Sequence, residues 1–347
     1  METKFKIRAN PGRIINFFKP TGIKWPADLN KEILKAAASK YKLSENKLVL
    51  IRAYESYIFE AGNVVLRLSK TKHRSFDETN SQAYWQQYLH VNLPQVVEVL
   101  PSASGKLAEH ISVNEESYTA VLIKKSEGKK ITDSIWNTDL FMKTGKLTGK
   151  LHALTKLYHP DDRVKGLNTW HTITFEKIRK FIPPDEYFLV EKSKNCFRKI
   201  GELPVTVQNF GIIHNDLHRG NMFICKNEIN LFDFDDTCYS WFINDIAGIY
   251  FHALLNNKRE IRESKSYLKN FISYFLEGYK TEHTLYDEDL NYIPELLAIR
   301  AISNYSYLNK VWDFKNLNHA QKDFVDLNRK LAFDDYFGAD VNFIKFF

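Results

Sequence analysis

One short stretch concentrates residues able to do chemistry: GIIHNDLHRGNMFICKNEINLFDFDD, residues 211–236. Met222–Cys225 and Glu228–Phe232 are short apolar runs around Lys226-Asn227-Glu228, a β-hairpin signal. Pairing 225 with 229 carries the register outward to 223 with 231 and 221 with 233, so Asn221 and Asp233 are expected to face each other at the open end. An amide oxygen beside a carboxylate suits a hard, oxygen-seeking ion such as Mg²⁺, which keeps several waters and binds substrate phosphates. Asp216, in the polar loop after Ile212-Ile213, is near enough in chain to stand beside that ion without ligating it. A carboxylate there can orient or deprotonate a hydroxyl.

Two other patterns imitate known sites. His214 and His218 bracket Asp216 at the i and i+4 spacing of helical zinc sites, but Asn215, Gly220 and the β-branched pair before them favour strand and loop over helix. Gly145-Lys-Leu-Thr-Gly149-Lys150-Leu151 resembles a phosphate loop, with one residue too few between its glycines and Leu where Ser or Thr is needed. It reads as helix with two small residues for close packing.

The order H-x-D-x-x-x-x-N, then an apolar strand and Asp, resembles the kinase-like phosphotransferases, with aminoglycoside phosphotransferases and choline kinases as nearest relatives. His214-Asn-Asp216-Leu-His-Arg-Gly-Asn221 is similar to their catalytic loop, and Phe232-Asp233-Phe234-Asp235 sits where they carry the second metal-binding aspartate. The resemblance implies Asp216 as base or hydroxyl-orienting group, Asn221 and Asp233 as Mg²⁺ ligands, and ATP as phosphoryl donor. It also implies that His214 supports the loop backbone, that His218 touches the γ-phosphate, and that Asp245, in Trp241-Phe-Ile-Asn-Asp245-Ile-Ala, braces the loop.

These residues need a scaffold, and the chain changes character near residue 125. Before it, a helix within WPADLNKEILKAAASKYKL, capped at Asp28, precedes β-rich segments at 48–54, 56–61 and 63–69, the last two divided by Gly62-Asn63. A helix at 76–91 and strands near 96–100, 106–111 and 118–123 follow. Beyond Gly128 the pattern is mostly helical: 141–159, with Leu147, Leu151, Leu154 and Tyr158 on one face, then 174–181, 186–200, 245–256, 262–280, 289–312 and 318–331. The expected fold is α+β and bilobal: a small antiparallel β-sheet lobe with a helix at 1–124 and a larger, mainly helical lobe at 125–347. The resemblance identifies this arrangement with the protein-kinase-like fold.

For the nucleotide end the resemblance implies less specific residues. The glycine-free turn Ala53-Tyr-Glu-Ser56-Tyr resembles a tight nucleotide loop in which Ser56 offers its hydroxyl to phosphate. Arg67 stands where relatives place a strand lysine and is expected to reach ATP phosphates across the cleft from Asp233. Its helical partner aligns as Gln82, with Glu78 one turn earlier, and Lys125 lies in the hinge against which adenine would rest.

Composition sets the outer limits. The chain has 347 residues, 49 Lys plus Arg against 42 Asp plus Glu, and is 44% hydrophobic and 14% aromatic, which excludes disorder and a disulfide-stapled miniprotein. Three cysteines without a C-x-x-C pair argue for a reducing compartment, and no apolar run approaches a membrane span. A cytoplasmic protein is expected, with neither nucleic acid nor membrane as partner, since the net +7 is dispersed among acids. The acceptor is expected to be a small hydroxylated molecule bound near Asp235 and Asp236, whose negative charge suits an amine. The overall basicity leaves an anionic or sugar-like acceptor equally open. A protein Ser/Thr kinase of the same fold and a nucleotide-binding pseudokinase are the rival readings; the presence of Asp216, Asn221 and Asp233 together weighs against the second.

Overall fold

The structure, a computed structural model, describes residues 26, 29–53, 55–256 and 261–334. Helix α1 (Lys31–Lys40) opens it, capped by Asn30, whose side chain accepts from the Glu32 amide at 2.9 Å. Asp28, expected in that role, lies outside the described residues. Three antiparallel strands follow, β1 (Val49–Ala53), β2 (Ser56–Ala61) and β3 (Val64–Lys70). Gly62, at φ +62°, makes the two-residue turn that pairs Ala61 with Val64. Helix α2 (Phe76–Asn92) leads to β4 (Val99–Leu100), β5 (Ala108–Val113) and β6 (Glu116–Lys124). The sheet runs β1-β2-β3-β6-β4, with β5 also paired to β6. Leu29, Ile33, Ala37 and Tyr41 from α1 pack with Phe59, Leu66 and Leu68 of the strands to fill one core.

Past Lys124 the chain forms the short β7 (Lys129–Lys130) and then helices α3 (Thr138–Lys156), α4 (Trp170–Phe181) and α5 (Phe188–Ile200). Strands β8 (Phe210–Ile213), β9 (Met222–Cys225), β10 (Glu228–Leu231) and β11 (Cys238–Trp241) interrupt the helices. Then come α6 (Ile243–Asn256), α7 (Ile261–Lys280), α8 (Asp287–Leu290), α9 (Ile293–Val311) and α10 (His319–Phe333). The helix expected over 289–312 is thus two, with the second starting afresh at Ile293-Pro294, where a missing N–H costs nothing. The fold is α+β and bilobal, with the larger core in the helical half. Trp85 and Leu89 of α2 belong to that larger core, so the helix of the small lobe is built into the other one.

The glycines of α3 set how closely it meets α7. A Cβ on Gly149 would lie 2.6 Å from the Tyr279 carbonyl oxygen, and one on Gly145 would collide with the Phe275 carbonyl. Among the described residues no helix is long and apolar enough to cross a membrane.

Candidate active site

The site is built on two small β-ribbons. In the first, β8 pairs with β11, Ile213 opposite Cys238, and β8 delivers the chain to His214 at the base of the cleft. In the second, β9 and β10 pair Cys225 with Glu228 and Met222 with Leu231. This register is one residue away from the expected 225–229 pairing. Its cause is a two-residue turn: Lys226 and Asn227 both take positive φ, 49° and 67°, the signature of a type I′ hairpin. Asn221 therefore stands opposite Phe232, whose amide donates to the Asn221 carbonyl at 3.0 Å, and Asp233 comes one residue later. Asp233 has φ +68°, which turns the chain out of the strand direction at that residue.

Residues 214–218 are loop, whereas the zinc alternative required helix, and each ring has a hydrogen-bond partner in the protein. The His214 Nδ1 accepts from the Asp216 amide at 3.3 Å, leaving the Nε2 hydrogen for the Phe232 carbonyl at 3.3 Å. His218 Nδ1 accepts from the Gly220 amide at 2.9 Å, which turns its Nε2 toward Asp216 Oδ2 at 3.4 Å. No group of three or more His, Cys, Asp or Glu suited to a metal ion exists among the described residues.

Asp216 and Asn221 form one unit. The Asn221 side-chain amide donates to Asp216 Oδ2 at 2.8 Å and to its carbonyl at 3.0 Å, while Asn221 Oδ1 is buried with no protein partner. A buried acceptor without a protein partner is open to an ion or a water. One amide thus fixes the carboxylate with its nitrogen and offers its oxygen to an ion. Two oxygen donors, Asn221 and Asp233, fit a cation that takes its remaining ligands from water and phosphate.

The electrostatics keep Asp216 ionised. Burial pushes its pKa up, but His218, and more weakly His252 and His214, hold it well below the usual carboxylate range. His218 is raised in turn: burial opposes its charge and Asp216 outweighs burial. His252, on α6, has its Nε2 3.7 Å from Asp216 Oδ1 and its ring centroid 4.6 Å from that of His218. Burial and the charge of His218 pull it down to about 3, so it stands neutral beside the carboxylate.

The loop is braced from two helices. Asp245, fully buried at the start of α6, accepts from the His214 amide at 3.1 Å, the Asn215 amide at 2.7 Å and His152 Nε2 at 3.2 Å. Arg300, on α9, donates to the carbonyl and side-chain oxygens of both Asn215 and Asn244 at 3.0–3.3 Å. Asn215 sits at φ +65°, a conformation that Asn tolerates and that these donors hold in place. Sequence reasoning missed Arg300 and His252. The available signal was Gly248 inside the apolar run of α6: a Cβ there would lie 2.9 Å from the Arg300 guanidinium carbon.

On the sheet side the expected residues have partners within the protein. Arg67 is almost fully buried and its guanidinium is ion-paired with Asp235, while the charge of Asp233 also favours its protonated form. Burial, with Arg74 nearby, pulls its pKa down to about 10. Gln82 donates to the Asp235 carbonyl at 2.7 Å and so holds the same loop residue that Arg67 binds. Asp236 lies 3.3 Å from Arg74, which also meets Glu78 at 3.6 Å. Asp235 and Asp236 are therefore partners of arginines, with Arg74 shared between Asp236 and Glu78. Ser56 Oγ shares a hydrogen bond with Ser69 Oγ at 2.9 Å across β2 and β3. Lys125 reaches Glu60 at 2.6 Å and lines a cavity of about 520 Å³ between Val96–Glu98, the hinge and the β9–β10 turn. Neither Asp216, Asn221 nor Asp233 lines that cavity. The cation that does stand on Asp233 is Arg52, at 3.4 Å from Oδ2.

Comparison with known proteins agrees with this geometry. The model of the phosphotransferase enzyme family, APH, matches residues 53–284. The chain belongs to that family. Amicoumacin kinase of Bacillus subtilis (strain 168) is 28% identical over 300 residues, covering 85% of this chain and 89% of that protein. A solved amicoumacin kinase in complex with AMP-PNP, Ca²⁺ and Ami superimposes with a TM-score of 0.80 at 28% identity, over 87% of this chain and 93% of the other. A microcompartment-associated aminopropanol kinase shares the fold with a TM-score of 0.67 at 18% identity, over 87% and 95%. As a member of the phosphotransferase family the chain is a kinase-type enzyme of bilobal fold, and its matched span contains every residue of the catalytic loop and of the ribbon that follows it.

Proposed function

We propose that this enzyme transfers the γ-phosphoryl group of ATP, with Mg²⁺, to a hydroxyl of a small molecule. The observation that carries this reading is the Asn221 side chain, which ties the Asp216 carboxylate with its nitrogen and leaves a buried oxygen without a partner. Asn221 and Asp233 would hold the ion, which when bound neutralises charge on the phosphates. Asp216, kept ionised, accepts the hydroxyl hydrogen of the acceptor and aligns its oxygen; Oδ1 is the oxygen left for this, since Oδ2 is engaged by Asn221. His218 stands at that same carboxylate, within reach of the transferred group. His214 and Asp245 hold the loop backbone, so the position of Asp216 does not depend on the acceptor.

Arg67 and Gln82 act in this reading by fixing Asp235 and so the loop that carries Asp233. Ser56 and Lys125 remain our choices for nucleotide contacts at the turn and the hinge. Because Asp235 and Asp236 are paired with arginines, an acceptor need not be cationic. Amicoumacin is the first compound to try, given the relatives named above, with amino alcohols, aminoglycosides and sugars beside it.

The test is ADP release from Mg²⁺-ATP across that panel, with a generic protein substrate included. Acceptor-dependent release with a phosphorylated small molecule is the expected result. Labelled protein serine or threonine with every small molecule inactive would overturn the choice of acceptor, and no turnover with any acceptor would favour a binding module.

A further inference from the structure

The turn between β1 and β2 crosses the cleft at two points. Arg52 meets Asp233 at 3.4 Å, and Glu55 meets Lys310 of α9 at 2.6 Å. Both contacts join residues far apart in sequence, from the end of β1 and the residue before β2 to Asp233 and to α9. The β1–β2 ladder pairs Leu50 with Phe59 but Arg52 with Ile58, so the register slips by one residue at Ile51. A bulge of this kind re-aims the side chain that follows it. Here Arg52 follows the bulge and its Nη1 donates to Asp233 Oδ2, whose charge favours the guanidinium.

We propose that Arg52 is a phosphate-binding residue that competes with the divalent cation for Asp233 and passes to the γ-phosphate when that cation binds. The inference rests on the reading of Asp233 as an ion ligand given above. Arg52 Nη1 stands 3.4 Å from Asp233 Oδ2, the oxygen that a divalent cation at this carboxylate would also use. A cation held by Asp233 would carry phosphate oxygens as further ligands, and the planar guanidinium fork of Arg52 is suited to bind them. The exchange is easy because the pair is accessible, with 44% of the Arg52 side chain and 25% of that of Asp233 exposed. Arg67 is not suited to this part: it is locked on Asp235 inside the protein. The Glu55–Lys310 pair, which holds that carboxyl below its usual range against burial, is separate from the Arg52–Asp233 contact and need not break when Arg52 changes partner.

The experiment uses the full chain and two probes, Mn²⁺ alone and Mg²⁺ with AMP-PNP or ADP. Arg52→Met should bind Mn²⁺ without nucleotide roughly two- to five-fold more tightly than the native enzyme, the scale on which an exposed ion pair competes. It should bind Mg²⁺-AMP-PNP roughly tenfold more weakly, the scale of a lost hydrogen bond to a charged group, with ADP affinity nearly unchanged. Arg52→Lys should lie between the two on both measures. Unchanged or weaker Mn²⁺ binding in Arg52→Met, or equal losses for AMP-PNP and ADP, would overturn the proposal. Asp233→Asn separates the two layers. If it leaves Mn²⁺ binding intact, the ion-site reading falls and this inference with it; if it abolishes binding while Arg52→Met has no effect, the inference alone falls.

Discussion

Arg67→Met separates a structural arginine from a nucleotide-contacting one. Arg67 is 4% exposed and Asp235 has 22% of its side chain exposed. Removing one member of a fully buried pair costs about 3–5 kcal/mol, because the other charge is left uncompensated. Water reaches the Asp235 carboxylate in part, which lowers that figure. Arg67 also buries an Nε with no partner, a burden that methionine does not carry. The expected loss is therefore about 2–4 kcal/mol, read as a fall in the urea midpoint or in melting temperature by several degrees. Arg52→Met, which breaks a more exposed pair, should cost no more than about 1 kcal/mol. Adding Asp235→Asn to Arg67→Met should recover part of the loss, since the stranded charge is gone, giving a coupling of about 1–3 kcal/mol. A loss below about 0.5 kcal/mol for Arg67→Met, or strict additivity in the double variant, would refute the argument from burial.

Asp245→Asn replaces a carboxylate oxygen facing an N–H by a second N–H, so it should cost about 1–3 kcal/mol and loosen the 214–216 backbone, seen as faster amide exchange there. Gly145→Ala drives a methyl into the Phe275 carbonyl and should destabilise by about 1–3 kcal/mol in the same melts. His283 is held down to about 3, chiefly by burial and then by His152, so the unfolded chain binds the proton more readily. The stability it contributes is present above pH ~6.5 and is lost as pH falls toward 3, at up to about 1.4 kcal/mol per pH unit. His283→Gln should flatten that part of the profile, and an unchanged slope would count against the assignment.

The catalytic loop was legible in the sequence because its chemistry is local: His214, Asp216, Asn221 and Asp233 fall on one loop and one hairpin. Binary pattern was enough for the sheet and for most helices, and Gly145 and Gly149 read as packing residues where the structure brings α3 against α7. The hairpin register slipped because Lys226 and Asn227 take left-handed backbone together, which shortens the turn to two residues, and composition alone did not distinguish that from a three-residue turn. The ion pairs on the sheet side were not legible for another reason. Arg67 and Arg74 meet Asp235 and Asp236 across more than 150 residues of chain, and nothing near either acid announces its partner. Arg52, His252 and Arg300 were invisible on the same ground: each reads as an ordinary residue of its own strand or helix, and only tertiary packing brings it to the loop.

The central claim is that Asp216 aligns the acceptor while Asn221 and Asp233 hold the ion and its nucleotide. Comparing Asp216→Asn with Asp233→Asn tests it most directly, because Asn suits the left-handed backbone at 233 and leaves the shape at 216 unchanged. With an acceptor in hand, the measurement is single-turnover phosphoryl transfer beside the Mg²⁺-AMP-PNP dissociation constant for each variant. Asp216→Asn should lose roughly 10²-fold or more in transfer with nucleotide affinity retained, whereas Asp233→Asn should lose metal-dependent nucleotide affinity itself. Equal loss of affinity in both variants, or transfer undiminished in Asp216→Asn, would contradict the account.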